Sequence, residues 1–173
     1  LKIPLQVVAT DFWKREVAVL DSGELMPAVQ ASMALPGVFA PVEINGRMLV
    51  DGGLVNPVPY ELLQTDCPYT IAVDVTGTRT PDEDPTPTYL DATFDAFQIL
   101  QTAVLREKMK HNPPSLYIRP EIKDVRVLEF YKFEEIFAQA QPQKERLKRE
   151  LERHFTKARR CGLRPWQLAY PQR

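Results

Sequence analysis

Residues 42–59 read VEINGRMLVDGGLVNPVP and contain two features that decide the local fold. The apolar residues on both sides of Asn45-Gly46 predict two strands joined by a two-residue turn, because Asn and Gly tolerate the positive φ angles of such turns. Asp51 ends the second strand and is followed by Gly52 and Gly53. The stretch therefore predicts a lone carboxylate at a strand end, beside backbone that can turn sharply.

Composition limits the classes of protein to which the chain can belong. Its 173 residues suffice for one compact domain, and 44% hydrophobic with 26% charged residues is typical of globular proteins. The net charge of −1 argues against nucleic-acid binding, which requires a basic surplus. No apolar run approaches the roughly 20 residues of a membrane-spanning helix. Cys67 and Cys161 are too few for a disulfide framework and lack metal-ligand spacing, so we expect a reducing, cytoplasmic location.

Local patterns predict an alternation of strands and helices. Short Val-rich runs predict strands, and runs of helix-forming residues that stop before proline predict helices. The nearly continuous apolar run YTIAVDVTG predicts a strand buried on both faces, as in a parallel sheet covered by helices. The predicted strands are 5–9, 16–20, the hairpin 42–50, 69–77 and 115–120; the predicted helices are 26–35, 91–110 and 129–160, the last interrupted by Pro142.

This alternation predicts an α/β layered domain. The chain begins inside a strand-like run without an initiator Met, so we expect it to be the C-terminal part of a longer domain. Within it we expect a core over about residues 1–140, followed by a C-terminal helix and tail over 141–173. The proline-rich and acidic stretch 78–91 has little to bury and predicts an exposed loop.

Several motifs follow one another in a recognisable order. They are ATD at 9–11, MPAVQASMALPGVFAPV at 26–42, the Asp51-Gly52-Gly53 triplet, Asn56 and Pro59, and IAVDV at 71–75. Together they resemble the second conserved half of patatin-like phospholipases, especially the bacterial branch. HNPPSLYIRP at 111–120 resembles the tail of that branch, so the resemblance extends to about residue 145.

The resemblance implies a layered α/β/α fold and a serine acyl hydrolase with a dyad in place of a triad. In that family the serine of a G-x-S-x-G elbow attacks a lipid ester, and the Asp of the D-G-[GA] motif, here Asp51, accepts its proton. Backbone N–H groups of an earlier glycine-rich loop hold the oxyanion. Neither a metal nor an organic cofactor is implied. The motif residues expected to shape the site are Gly52, Gly53, Ser32, Pro36, Gly37 and Asn56.

The sequence departs from the family pattern at the nucleophile. None of its serines, Ser22, Ser32 and Ser115, has glycine two residues before and two residues after it, and no cluster of glycines precedes Asp51. Because a dyad acts as a unit, we expect this chain alone to be inactive and the serine to lie upstream. A non-catalytic relative that binds lipid or a partner protein is the alternative, and the oligomeric state is left open.

Other polar residues carry competing interpretations. Asp74, after a buried strand and before Thr-Gly-Thr, is similar to the nucleophile of haloacid dehalogenase-type phosphotransferases, but a structural strand end is the favoured interpretation. Ser32 is expected to be structural or to line the site, and Asp11 to hold a turn. His111 and His154 are expected at the surface.

Two amphipathic stretches have both a structural and a lipid-related interpretation. Residues 144–160 contain eight Lys or Arg and three Glu, which fits either a solvated helix face or peripheral contact with an anionic membrane. On the helix 91–110, we expect an apolar face for core packing or an acyl-chain tunnel. Its members are Phe94, Phe97, Gln101, Val104 and Leu105.

Overall fold

A computed structural model describes residues 3–78, 86, 88–125 and 129–160, and it is a mixed α/β structure. The predicted α/β class is therefore confirmed. The described residues divide into two compact units: one comprises those within 3–59 and 96–110, and the other those within 60–95 and 111–160. The predicted division of the chain near residue 140 stays a prediction.

The first unit is built on a four-stranded antiparallel sheet. Its strands are β1 (Val7–Asp11), β2 (Glu16–Leu20), β3 (Val42–Ile44) and β4 (Arg47–Asp51), in the order β2-β1-β4-β3. The predicted hairpin is confirmed, because Asn45 and Gly46 join β3 to β4 with φ angles of 52° and 72°. β1 and β2 form a second hairpin in which Val8 lies opposite Val19.

One face of this sheet is covered by α1 (Leu25–Ser32), which packs against β1, β3 and β4. Small side chains let the helix approach the strands closely, since Ala9, Ala18 and Ala31 are almost fully buried together with Leu49. Helix α1 ends at Ser32, three residues before the predicted end. Leu35 begins a tight turn there, and its carbonyl accepts hydrogen bonds from the two N–H groups of Val38 and Phe39.

The second unit contains a two-stranded parallel sheet of β5 (Ile71–Val73) and β6 (Leu116–Ile118). Parallel pairing and the strand at 115–120 were predicted. Burial of both faces of the 69–77 run was a wrong prediction: β5 is three residues long, and Val73 and Val75 are 48% and 76% exposed. Only the alternate residues Thr70, Ala72 and Asp74 are buried, and this period of two is expected of a strand that is covered on one face.

The remaining helices are α2 (Glu61–Gln64), α3 (Tyr89–His111) and α4 (Phe133–Arg160). The predicted apolar face of α3 is confirmed for buried Leu105 and for half-buried Phe94, Phe97 and Gln101, but not for Val104, which is 42% exposed. The predicted break at Pro142 is wrong. Helix α4 continues through it, because strong helix formers flank an exposed proline that costs one backbone hydrogen bond.

Three further observations concern predictions about the chain as a whole. None of the described helices has the length and hydropathy that a membrane span requires. Within the described ranges, no group of three or more His, Cys, Asp or Glu side chains is arranged to hold a metal ion. Most of the predicted exposed loop, residues 79–85 and 87, lies outside the described residues.

Candidate active site

Asp51 is fixed by its backbone from three directions. As the last residue of β4 it pairs with Ala9 on the adjacent strand β1. Its N–H donates to the carbonyl of Ala34 over 3.1 Å, and its own carbonyl accepts a 2.7 Å hydrogen bond from Thr10 Oγ1. The sheet and the segment after α1 therefore fix together the backbone position from which the Asp51 side chain projects.

The carboxylate of Asp51 is half-buried and has no ion pair in the described part of the chain. Its Oδ1 accepts a 2.7 Å hydrogen bond from the N–H of Gly53, which caps the short 3-10 helix Gly52–Leu54. Burial raises the pKa of Asp51 above its ordinary value, and the Gly53 hydrogen bond opposes that rise. The Asp51 carboxylate is thus held in place by the Gly53 hydrogen bond, and burial increases its proton affinity.

The two glycines after Asp51 are required by close contacts. A Cβ at Gly52 would lie 2.3 Å from the backbone oxygen of Val8, a distance that no side chain can adopt. A Cβ at Gly53 would lie 2.4 Å from Gln101 Nε2 and 3.1 Å from Asp51 Oδ1. Glycine at 52 therefore lets the turn lie directly on β1, and glycine at 53 leaves room for the carboxylate and for Gln101.

Ser32, the motif residue on α1, contacts the strand on which the turn after Asp51 rests. Ser32 Oγ donates a 2.8 Å hydrogen bond to Val8 O, the oxygen that Gly52 approaches. Pro36 is half-buried, and Gly37 has a φ of 84°, the left-handed conformation that favours glycine. Ser32 therefore joins α1 to the sheet at the point where the turn after Asp51 also rests.

Asn56 is connected to this turn and to a lysine that sequence analysis missed. The Asn56 N–H donates to Gly52 O over 3.0 Å, and Asn56 Oδ1 accepts a 2.7 Å hydrogen bond from Lys108 Nζ. Lys108 also donates to the carbonyls of Pro57 and Val58, over 3.1 Å and 2.9 Å. No local pattern distinguishes Lys108 from the other charged residues near the end of α3, so only the fold reveals this contact.

A cavity of about 270 Å³ lies elsewhere in the first unit, between the start of the chain and the start of α1. Its walls include Leu5, Leu20, Leu25 and Ala28, and Asp51 is not among the residues that line it. This cavity therefore does not define a substrate pocket for the Asp51 carboxylate.

The polar residues with competing interpretations are in structural positions. Asp11 holds a turn, as predicted: its Oδ1 accepts the Lys14 N–H over 3.0 Å and its Oδ2 lies 3.1 Å from Arg47 Nε. These contacts lower the pKa of Asp11, the Lys14 hydrogen bond most strongly. His111 is exposed, as predicted. The surface prediction for His154 is wrong, because its ring stacks on Tyr69 with centroids 3.8 Å apart and its Nε2 is buried.

Asp74 is buried directly after the end of β5, as the favoured interpretation predicted. It is 2% exposed, and its Oδ1 accepts the Thr76 N–H over 2.9 Å. Its Oδ2 accepts a 2.5 Å hydrogen bond from the Tyr117 hydroxyl and lies 3.7 Å from Arg119 Nε. Burial, followed by the hydrogen bond to Asp74, raises the pKa of Tyr117 to about 12. Both carboxylate oxygens are therefore engaged, which disfavours Asp74 as a nucleophile.

The comparison with known families bears directly on the unit that contains Asp51. The family model described as patatin-like phospholipase matches residues 2–63, which include Ser32, the turn at Pro36-Gly37 and the Asp51-Gly52-Gly53 triplet. This stretch is similar to patatin-like phospholipases. The suspected resemblance is thus confirmed for this stretch.

Curated relatives extend the similarity to proteins much longer than this chain. An uncharacterized NTE family protein of Mycobacterium bovis is 40% identical over 80 residues, covering 46% of this chain and 22% of the relative. Lysophospholipase NTE1 of Candida glabrata is 32% identical over 136 residues, and that of Saccharomyces cerevisiae 31% over 136 residues, each covering 63% of this chain and 8% of the relative. The chain therefore spans less than a quarter of the length of these relatives.

The contacts around Asp51 lie within the stretch that matches the patatin-like model. Thr10 of ATD donates to the carbonyl of Asp51 of DGG, and the N–H of Asp51 donates to the carbonyl of Ala34, the residue directly before LPG. The fold brings together Ser32, Asp51, Gly52 and Asn56 of the predicted site, and it adds Thr10, Gln101 and Lys108.

Proposed function

We propose that the protein containing this chain hydrolyses carboxylic esters of lipids through a Ser-Asp dyad in which Asp51 is the general base. The observation that carries the proposal is the state of the Asp51 carboxylate: it is held by backbone contacts, has no ion pair in the described residues and has a raised pKa. The patatin-like match of residues 2–63 and relatives named lysophospholipase support the lipid substrate.

In the proposed reaction, a serine outside this chain attacks the ester carbonyl while its proton passes to Asp51. Asp51 gives this proton to the alcohol as it leaves, which forms the acyl-enzyme. A water molecule then attacks the acyl group while its proton passes to Asp51, and Asp51 returns that proton to the serine oxygen as the fatty acid is released. A raised pKa favours this role, because a base works best when its pKa approaches the working pH. Gly52 and Gly53 allow the close packing that holds the carboxylate still.

The proposed test compares Asp51→Asn with Asp66→Asn in the full-length protein. Asp66 is an exposed Asp in the second unit and serves as a matched control. We expect Asp51→Asn to lower turnover of a chromogenic fatty-acyl ester by about 10²–10⁴-fold, the usual contribution of a general base, and Asp66→Asn to retain activity. Near-normal turnover of Asp51→Asn would refute the assignment.

A fluorophosphonate probe separates the enzyme from the non-catalytic alternative. We expect the full-length protein to be labelled at a serine upstream of this chain and the isolated chain to remain unlabelled. If the full-length protein is neither labelled nor active on lipid esters, the patatin-like unit is a binding module instead.

Peripheral contact with an anionic membrane is a further part of this proposal. On α4, Phe133 and Phe137 are 53% and 68% exposed with ring centroids 6.2 Å apart, and the basic 144–160 stretch follows on the same helix. Exposed aromatic rings beside basic residues fit the interface of a bilayer that contains anionic lipid.

Vesicle sedimentation tests this contact. We expect the full-length protein to bind vesicles with anionic lipid better than zwitterionic ones and Phe137→Ser to weaken that binding. Ile99→Ser is the control, because Ile99 has the same exposed fraction of 68% but lies on α3. Equal binding of the two variants would contradict this role for α4.

A further inference from the structure

We infer that Lys108 is a positioning residue that holds the segment Asn56–Val58, and through it the turn that carries Asp51. Lys108 and this segment lie in the first unit, 50 to 52 residues apart in sequence. This inference rests on the proposed function of Asp51, since a positioning residue requires a group to position.

Three hydrogen bonds of Lys108 converge on the short segment Asn56–Val58. Its Nζ donates to Asn56 Oδ1, Pro57 O and Val58 O over 2.7, 3.1 and 2.9 Å. An ammonium group has three N–H donors, so Lys108 can donate to all three of these acceptors. Asn56 is 9% exposed and Lys108 is half-buried, so these hydrogen bonds are partly shielded from water.

The backbone at Val58 needs such support. Val58 has a φ of 52°, a left-handed conformation that is rare for a β-branched residue and persists where surrounding contacts enforce it. The carbonyl of Val58 accepts one of the Lys108 hydrogen bonds. The lysine thus stabilises the unfavourable backbone conformation directly.

A chain of hydrogen bonds leads from this segment to the carboxylate. The N–H groups of Val55 and Asn56 donate to Gly52 O over 3.3 Å and 3.0 Å. The N–H of Gly53 in turn donates to Asp51 Oδ1 over 2.7 Å. If the segment Asn56–Val58 becomes mobile, we therefore expect the turn at Gly52–Gly53, which orients the Asp51 carboxylate, to become mobile as well.

A second residue of α3 contacts the same turn. Gln101 lies seven residues before Lys108, which is two helical turns, so both project from one face of α3. The Gln101 amide occupies the space beside Gly53, where a Cβ would be 2.4 Å from its Nε2. One face of α3 therefore contacts both the start and the end of the 53–58 segment.

The test uses Lys108→Met in the full-length protein with Lys110→Met as the matched control. Lys110 lies on the same helix but is exposed and pairs with Glu107 at the surface. One readout is amide hydrogen exchange at Val55 and Asn56. The other is steady-state kinetics on a fatty-acyl ester, with the pH dependence of kcat. Asn56→Ala removes the Oδ1 acceptor of Lys108 but leaves the Pro57 and Val58 carbonyls, and it provides a second variant if Lys108→Met does not fold.

In Lys108→Met we expect hydrogen exchange at the amides of Val55 and Asn56 to be at least tenfold faster than in the wild type. We also expect kcat to fall about 10–100-fold, with KM changed less than threefold. The acid limb of the kcat profile should also move, because the surroundings of Asp51 change. Lys110→Met should match the wild type in each measurement. A purely structural role would lower the active fraction without moving the pH profile.

Each contrary outcome has a distinct meaning. Unchanged exchange in Lys108→Met would overturn the contact, and faster exchange with unchanged kcat and pH profile would overturn the positioning role. If the wild type lacks esterase activity, the proposed function and the positioning role of Lys108 both fail, whereas faster exchange would still establish that Lys108 holds the segment.

Discussion

Gly52 lies against the backbone carbonyl of Val8, so closely that a Cβ at position 52 would be 2.3 Å from that oxygen. The same oxygen accepts the 2.8 Å hydrogen bond of Ser32 Oγ. The carbonyl of Val8 is therefore the place where β1, α1 and the turn after Asp51 meet. The glycine at position 52 of the DGG motif is thus required for packing against β1, and not only for the turn after Asp51.

Gly52→Ala is expected to destabilise the protein more than Gly53→Ala. The new methyl group at 52 meets fixed backbone, whereas at 53 its nearest neighbour is the flexible end of Gln101. Overpacking against backbone costs about 1–3 kcal/mol. Urea unfolding of both variants measures the difference, and equal midpoints would contradict the contact described at Val8.

Ser32→Ala is expected to lower the free energy of unfolding by about 1 kcal/mol, the usual net value of one hydrogen bond. Because Ser32 Oγ donates to Val8 O and is not a nucleophile in the proposed mechanism, fluorophosphonate labelling of the full-length protein should persist. Loss of labelling, with the fold retained, would make Ser32 the reacting serine.

The acid limb of kcat/KM is expected above pH 3.8, the ordinary pKa of an Asp side chain, because burial raises the pKa of Asp51. Activity should fall as the pH drops through this raised value and Asp51 becomes protonated. A pH series with a fatty-acyl ester measures it. An acid limb at or below 3.8 would exclude Asp51 as the titrating base.

Asp51→Asn is expected to increase stability at neutral pH. A carboxyl group with a raised pKa in the folded state contributes stability that is present below its unfolded pKa and lost as the pH rises through the folded value. Asn does not ionise, so the variant does not lose this stability at neutral pH. Its side-chain oxygen can still accept the hydrogen bond of the Gly53 N–H. Thermal unfolding of both proteins should differ at pH 7 and converge below pH 3.8, and a less stable variant at pH 7 would contradict this.

Asp74→Asn is expected to lower the Tyr117 pKa from about 12 toward 10, because it removes the negative charge that opposes ionisation of the hydroxyl. A raised tyrosine pKa gives stability that is lost as the pH rises through the folded value, from 10 toward about 12. Absorbance at alkaline pH follows the titration, and Tyr117→Phe identifies its signal. An unchanged titration would contradict the contact between the two side chains.

Loss of the Asp74 charge should also cost about 1.5–3 kcal/mol, the range for hydrogen bonds to charged groups. No Mg²⁺-dependent phosphatase activity is expected from the wild type, because both oxygens of Asp74 are engaged within the second unit. Phosphatase activity that is lost in Asp74→Asn and retained in Asp51→Asn would favour the phosphotransferase interpretation instead.

Several sequence predictions were reliable because they depend on neighbouring residues. Asn45-Gly46 produced the predicted turn, since its positive φ angles are a local property of those two residues. The boundaries of α3 were predicted to within two residues from helix-forming residues and the prolines that follow. The carboxylate of Asp51 at a strand end was also readable, because the apolar run and the glycines lie next to it.

Other features depended on residues far apart in the chain. His154 was predicted at the surface from its charged surroundings, yet it stacks on Tyr69, which lies 85 residues earlier. The 69–77 run was apolar enough for a fully buried strand, but packing covers only one of its faces. The hydrophobic pattern of a segment does not by itself predict which of its faces other parts of the chain will cover.

The sequence by itself determined the turns, the α/β class and the carboxylate at the end of β4, because φ preferences and hydrophobic periodicity act over a few residues. Only the tertiary structure decided that Gly52 must lie on Val8 and that Lys108 binds a segment 50 residues away. Such contacts form when distant elements pack together, and the energy of a hydrogen bond depends on the geometry and burial that packing creates.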